Sequence, residues 1–470
     1  MLPTLQEHGV MLTAIRAALS DAKGGILERP PPQEGKLQEK IEPDEDSIIP
    51  PAPLEILQLI FRLYCQSFNL PDGLNTGMYD NESPIDTFPV FTLMQVCSEW
   101  RQLVLKTPEF WSVVSANDHP RDLALARRWL SRAGSLPRTL SIALRTGYSS
   151  LTAVYHLISM YPFRTLRFDV YLKNQFVDFT KIRLESLLPL ERLAISCHSY
   201  GGPDIGMTFH PHTFPNLSWL QIHGSFEILR IKTIPWPNLL QLDLNCTRPL
   251  SLSESLTILR DATALERAAM VVSLSKQKPL VGDVFAANLS ALDVKFCRSC
   301  NVGHFLDMLI APKLKVLDLD NYYYPEVMDC DISVLQRLVA SSEIEMEKLC
   351  ISQTTMPLSV GALLDCMPSL RRLELRTGSL LDEDSMKRIA NGGLGPCLEA
   401  LTICVELVNP EAAAPILTMV TSRQNLPRSE YQRNSYFKQV QIQVVGMEYG
   451  YVLSDYVERL GELKGIVKFN

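Results

Sequence analysis

The sequence lacks any run of about eighteen consecutive apolar residues, the length at which a helix can span a bilayer. Residues 1–20 also lack the uninterrupted apolar core of a secretory signal, because Glu7 and Arg16 break the pattern, so we expect no such signal there. The eleven cysteines form no tight framework, which is typical of reduced thiols in the cytosol or nucleus. We therefore expect a cytoplasmic or nuclear protein that has no membrane as a partner.

The sequence also has fewer basic than acidic residues. The chain has 45 Lys and Arg residues against 52 Asp and Glu residues, which gives a net charge of −7 at pH 7. Binding to nucleic acid depends on basic side chains that neutralise phosphates, so this balance argues against nucleic acid as a partner.

The motifs of catalysis and cofactor binding are missing as well. The sequence has no Gly-x-Ser-x-Gly, no His-Glu-x-x-His, and no glycine-rich loop followed by Lys-Ser or Lys-Thr. Cys297 and Cys300 with His304 have the outward form of a metal site, but no second ligand pair completes it. His210 and His212 likewise have no acidic or cysteine partner at ligand spacing. We expect no catalytic residues, no metal and no cofactor.

Length and composition indicate a globular protein with more than one domain. The chain has 470 residues, of which 46% are hydrophobic and 21% are charged. Residues 1–27 carry a short heptad pattern, which predicts a marginal helix or a short coiled coil. Residues 28–49 combine clustered prolines with clustered carboxylates, and therefore predict a solvated linker.

Residues 50–114 are the segment around which the rest of the chain is organised. Leu54, Leu57 and Phe61 make one apolar stripe at helical spacing. After a polar insert, a second helical stripe occupies Leu93, Val96, Cys97, Trp100, Leu103 and Val104. Two short helices with such apolar faces would bury either each other or a partner.

This segment resembles the F-box, in the form that is common in fungal F-box proteins. The resemblance rests on the motif QVCSEWR at residues 95–101, the motif TPEFW at 107–111, and PLEIL at the entry, residues 53–57. It implies a helical module that docks onto the Skp-type adaptor, and through it onto the cullin, of a ubiquitin ligase. The residues that it implies for adaptor contact or for the supporting core are Pro53, Leu54, Ile56, Leu57, Ile60, Phe61, Val96, Trp100, Leu103 and Trp111.

A different architecture begins after this segment. Residues 115–160 contain a helical pattern at 122–132 and a period-two strand pattern at 140–144, and are predicted to connect the two parts. From residue 161 to residue 426 a unit L-x-x-L-x-L recurs, with 24, 27, 22, 26, 24 and 25 residues between successive first leucines from Leu166 to Leu314. This spacing is typical of leucine-rich repeats, whose short strands bury their leucines only by stacking on one another.

The repeat region resembles the irregular leucine-rich repeats of F-box proteins. The predicted fold class is α/β, with a small all-α F-box-like module followed by an irregular leucine-rich-repeat solenoid of parallel strands and intervening helices or loops. Residues 427–470 are predicted to cap the open end of the solenoid, with a strand at 436–445 and a helix at 451–463.

The residues between the buried leucines of each strand face the exposed side of the predicted sheet. Several of these positions are acidic, and the candidates for target binding are Asp243, Asp293, Asp318 and Glu374. If they form an acidic stripe, the ligand should be a basic protein segment. The alternative is an ordinary solvated face, because Lys295, Arg372 and Arg376 lie beside them in the sequence.

These features predict a substrate-recognition subunit of a Skp-cullin-F-box ubiquitin ligase. In this hypothesis the helical segment binds the adaptor and the repeats bind a target protein of unknown identity. The alternative is a non-catalytic repeat scaffold for protein–protein interaction, in which the helical segment only caps the solenoid. Binding of the adaptor distinguishes the two.

Overall fold

The structure is a computed structural model in which the chain divides into two compact units, residues 1–142 and residues 143–470. It describes residues 54–68, 89–145, 148–171, 177–198, 207–208, 214–224, 234–246, 248–274, 282–297, 301–322, 327–406, 414–426, 436–445 and 466–469. The predictions for residues 1–27 and 28–49, for Pro53, for the pair His210 and His212, for Cys300 and for a helix at 451–463 lie outside these ranges.

The first unit consists of short helices and two strands. Its elements are α1 Leu54–Phe68, α2 Pro89–Val96, α3 Ser98–Lys106, a 3₁₀ turn Pro108–Trp111, β1 Val113–Asn117, α4 Pro120–Ser131 and the first five residues of β2, which spans Arg138–Leu144. The helix and strand predicted at 122–132 and 140–144 correspond to α4 and β2, each of which begins two residues earlier than predicted.

The second apolar stripe of the 50–114 segment is divided between two helices instead of one. Cys97 separates α2 from α3 in an extended conformation, with φ −155° and ψ 172°. Its thiol accepts a hydrogen bond from the backbone N–H of Trp100 at 3.4 Å, so Cys97 caps the start of α3. Glu99 in the first turn of α3 favours a new helix start at this point, because its charge complements the helix dipole.

An aromatic cluster forms the core of the first unit. The ring of Phe61 lies 4.5 Å from that of Trp100 and 6.3 Å from that of Phe110, while Trp111 packs edge-on against Trp129 at 4.7 Å. Trp111 is fully buried, and its indole N–H donates to the Val104 carbonyl at 3.0 Å. Burial of one large apolar side chain contributes about 1.5–3 kcal/mol, so each buried ring of this cluster stabilises the unit by an amount of that order.

The second unit is built on a large parallel sheet. Its strands are β3 Phe163–Val170, β4 Val177–Asp178, β5 Arg192–Cys197, β6 Met207–Thr208, β7 Trp219–Gly224, β8 Gln241–Cys246, β9 Leu250–Ser251, β10 Arg267–Ser273, β11 Val284–Phe285, β12 Ala291–Cys297, β13 Leu309–Ile310, β14 Val316–Asn321, β15 Lys348–Ser352, β16 Leu358–Ser359, β17 Arg372–Leu380, β18 Ala400–Glu406, β19 Gln439–Val445 and β20 Val467–Phe469. The main sheet runs β3-β5-β7-β8-β10-β12-β14-β15-β17-β18-β19-β20, and each neighbouring pair in this order is parallel.

Helices alternate with many of these strands. They are α5 Tyr148–Ser159, α6 Leu184–Leu187, α7 Leu252–Asp261, α8 Gly303–Leu306, α9 Ile332–Ser342, α10 Val360–Cys366, α11 Glu383–Ala390 and α12 Ala414–Gln424. The start of a helix can be set by its first few residues, as in α7. There the Ser251 hydroxyl accepts a hydrogen bond from the Glu254 N–H at 3.3 Å, and the Glu254 carboxylate accepts one from the Ser251 N–H at 2.7 Å. This reciprocal capping box satisfies two donors that the first helical turn leaves unpaired.

The leucines of the predicted repeats line up across the sheet. Leu193 of β5 pairs with Leu220 of β7, and Leu220 pairs with Leu242 of β8. The same row continues through Ala268 of β10 to Leu292 of β12 and Leu317 of β14. Each of these leucines is at most 3% exposed. The predicted α/β class with stacked parallel strands is therefore confirmed, as a solenoid-like array in which a row of apolar side chains, mostly leucine, is buried across neighbouring strands.

Helix α12 carries a buried arginine, Arg423. Arg423 of α12 is 0% exposed, and its guanidinium donates to the carbonyls of Ile389, Leu394, Gly395 and Pro396 at 2.7–3.3 Å. Burial lowers the pKa of Arg423 to about 10, because the charged form loses hydration. The four carbonyls replace that hydration and fix the loop before β18 against α12.

Candidate functional site

The candidate surface of the first unit lies on α1. Leu54, Ile56 and Leu59 are 55%, 46% and 49% exposed, while Phe61 on the same helix is 1% exposed. Ile56 and Leu59 are three residues apart, so their side chains are neighbours on the helix surface, away from the buried Phe61. We call Ile56 and Leu59 the α1 stripe. Arg62 joins α1 to the 3₁₀ turn through an ion pair with Glu109 at 3.0 Å.

The structure separates the residues predicted for adaptor contact or support into three groups. Leu54 and Ile56 are exposed. The half-buried residues are Leu57, Ile60, Val96 and Trp100. The buried ones are Phe61, Leu103 and Trp111, and they belong to the core of the unit.

Leu59 is an exposed apolar residue that the sequence reasoning missed. The signal was present, because Leu59 follows Ile56 by three residues and precedes Leu63 by four. The helix has two apolar stripes, and the sequence pattern was identified only for the one that ends at the buried Phe61. The second stripe leaves apolar surface in water, which is unfavourable unless a partner covers it.

The candidate surface of the second unit lies on the face of the sheet opposite the leucine row. We call this the polar face. The register places the four predicted acidic residues in one row across it, because Asp243 pairs with Ala269, Ala269 with Asp293, and Asp293 with Asp318. Beyond Asp318 the row continues through Cys350 to Glu374. The alternation of the strands therefore brings these side chains together as expected.

Three of the four carboxylates have a partner on the same face. Asp243 Oδ2 lies 2.7 Å from His223 Nε2 and accepts from the Gln221 amide at 3.0 Å. Asp318 lies 3.8 Å from Lys348 Nζ, and Glu374 lies 3.1 Å from an Arg376 guanidinium nitrogen.

Asp293 is the exception in this row. Within the described residues it makes neither an ion pair nor a hydrogen bond, and its side chain is half-buried. Burial, followed by the adjacent carboxylate of Asp318, raises the pKa of Asp293 to about 6, although Lys295 acts in the opposite direction. The carboxylate is therefore held in a place where its ionised form is disfavoured.

The described residues offer no other kind of site. They contain no group of three His, Cys, Asp or Glu side chains that could hold a metal ion, and no helix of the length and apolarity needed to cross a membrane. Cys297, which the sequence analysis weighed as a metal ligand, is a buried side chain at the end of β12.

No model of a known protein family matches the chain, and no curated protein is similar to it at a significant level.

Proposed function

We propose that this protein is the substrate-recognition subunit of a Skp-cullin-F-box type ubiquitin ligase. In this proposal residues 50–114 act as an F-box-like module that binds a Skp-type adaptor, and the leucine-rich-repeat-like second unit binds the protein to be modified. Such a subunit catalyses nothing itself. It raises the effective concentration of the target near the ubiquitin-transferring partners of the complex.

The α1 stripe is the observation that supports adaptor binding most directly. A helix whose buried face already packs through Phe61 has no internal need for Ile56 and Leu59 on its outer face. Ile56 belongs to the PLEIL motif at the entry of the F-box-like pattern and Leu59 follows two residues after it, ahead of the QVCSEWR motif whose Trp100 packs against Phe61. The apolar core therefore supports the module, while the exposed stripe is left for a partner.

Co-purification with a Skp-type adaptor tests the proposal. Leu59→Asp places a charge on the α1 stripe without touching the core, so it should abolish co-purification and leave the thermal melt unchanged. Leu184→Asp is the matched control, because Leu184 is 44% exposed but belongs to the second unit. A well-folded wild-type chain that never retains the adaptor would instead support a scaffold that acts outside ubiquitin ligases.

A further inference from the structure

A groove of about 300 Å³ crosses the polar face of the second unit. It exists because β10 carries Ala269 in the row where the neighbouring strands carry Asp243 and Asp293, so a methyl group stands between two longer side chains. The lining includes Trp219, Val316 and Asp318 as well. We call this feature the Ala269 groove.

The floor of the groove and its rim have different chemistry. The floor is apolar and small, formed by Ala269 together with Ala291. The rim carries three carboxylates, and neighbouring parallel strands are about 4.8 Å apart, so Asp243 and Asp293 stand about 10 Å apart across Ala269. A cation between them would be within reach of both.

Of the three carboxylates on the rim, two have a cationic or histidine partner and one does not. Asp243 and Asp318 have His223 and Lys348 as partners, whereas Asp293 has none among the described residues. Arg267 also lines the groove, and Lys295 follows Asp293 by two residues on β12. The raised pKa of Asp293 indicates that these cations do not compensate for burial and for the carboxylate of Asp318.

An independent feature next to the groove also requires a donor. A smaller pocket of about 100 Å³ adjoins it and shares Asp243 and Asp293 as lining residues. Asn245 lines this pocket, and its Oδ1 atom is buried and accepts no hydrogen bond from any described residue. A buried acceptor without a donor is unfavourable, so an N–H group that entered the pocket would satisfy it.

We propose that the Ala269 groove binds a basic side chain, arginine or lysine, from an extended segment of the target protein. The aliphatic stem lies over Ala269 and Ala291, and the charged head is held by Asp293 and Asp243. Trp219 also lines the groove, and an indole ring attracts a guanidinium that stacks on its face. This inference rests on the proposed function for its biological setting, since it describes how the second unit would hold a target.

The proposal narrows the acidic stripe to one part of the row. Glu374 is not a lining residue of the groove and is paired with Arg376 on its own strand. The carboxylates that line the groove are Asp243, Asp293 and Asp318, and of these Asp243 and Asp293 hold the charged head of the ligand.

Fluorescence anisotropy with labelled hepta-arginine and the full-length chain tests this inference. Measured at 150 mM salt, which screens long-range attraction, wild type should bind the peptide and should not bind labelled hepta-glutamate. Asp293→Asn and Ala269→Leu should each weaken binding at least tenfold, the second without any change of charge. Glu345→Gln and Ala124→Leu are the matched controls at exposed positions outside the groove, and should bind like wild type.

The outcomes separate this inference from the proposed function. Binding that is absent, or that is unchanged in both Ala269→Leu and Asp293→Asn, overturns the groove as a site for basic segments, whatever the adaptor does. If the chain does not retain a Skp-type adaptor but hepta-arginine still binds in the groove, the ligase proposal is overturned. The assignment of the groove as a site for basic segments then stands. If Ala269→Leu does not fold, the comparison of Asp293→Asn with Glu345→Gln decides.

Discussion

Replacing Asp293 with asparagine should stabilise the second unit, and the gain should grow as the pH rises. Burial and Asp318 raise the pKa of Asp293 from 3.8 to about 6. This difference of about two pKa units corresponds to about 3 kcal/mol at about 1.4 kcal/mol per unit. Because water reaches part of the side chain and screens the repulsion, we expect about 1–2 kcal/mol at pH 8.

The sign follows from comparing the folded and unfolded states. The folded pKa of Asp293 is the higher one, so the ionised carboxylate is disfavoured on folding. The penalty is nearly complete above about pH 7 and disappears only below about pH 3, where the group is protonated in both states. At pH 4.5 the advantage of Asp293→Asn should be roughly a third of its value at pH 8.

Hydrogen exchange of the β12 and β14 amides provides the assay, because it reports the opening of the second unit separately from the first. Asp293→Asn should slow exchange in these strands at pH 8, after correction for intrinsic rates, and much less at pH 4.5. Glu345→Gln, on the exposed surface, should leave exchange unchanged at both values. Faster exchange in Asp293→Asn at pH 8 would refute the reasoning, because it would mean that the carboxylate stabilises the sheet.

The remaining predictions concern the cores of the two units. Trp111→Ala should destabilise the first unit by about 3–5 kcal/mol, because it empties a fully buried site and leaves the Val104 carbonyl without its indole donor, and a thermal melt followed by fluorescence checks this. Arg423→Met should cost about 3 kcal/mol or more, since four carbonyls lose their charged donor, and hydrogen exchange in β18 should rise; unchanged exchange would contradict that role.

The longer strands of the second unit could be predicted from the sequence because their signal is local and repeated. Apolar residues at the L-x-x-L-x-L positions, in units 22 to 27 residues apart from Leu166 to Leu314, coincide with the main-sheet strands β3, β5, β7, β8, β10, β12 and β14, and later copies coincide with β17 and β18. The two-residue strands β4, β6, β9, β11, β13 and β16 were not predicted. The same alternation placed Asp243, Asp293, Asp318 and Glu374 on one face, and the register confirms that they share a row.

The partners of these carboxylates were harder to predict. Arg376 is two residues from Glu374 and was considered, but His223 and Lys348 lie on neighbouring strands, 20 and 30 residues away from the acids they contact. Such pairs depend on register, which loop lengths set and a sequence pattern does not reveal. The Ala269 groove was hidden for a related reason, since it depends on the small side chain of Ala269 lying between Asp243 and Asp293 on neighbouring strands.

In the first unit, fewer features could be predicted from local sequence patterns than in the second. The apolar stripe Leu54, Leu57 and Phe61 was expected to bury either its neighbour or a partner, and of these three residues Phe61 is the buried one. The cap at Cys97 and the exposed Leu59 depend on which face of each short helix meets its neighbour. In α1 both faces carry apolar residues, so periodicity alone does not select the buried one.

Calorimetric titration of the purified full-length chain with a purified Skp-type adaptor tests the central claim most directly. If residues 50–114 dock onto the adaptor through the α1 stripe, wild type should bind with a dissociation constant below about 1 μM, or about −8 kcal/mol. The double variant Ile56→Asp and Leu59→Asp should bind at least a hundredfold more weakly, with its melt unchanged. A wild-type chain that gives no binding heat and no shift on gel filtration with the adaptor would contradict the account.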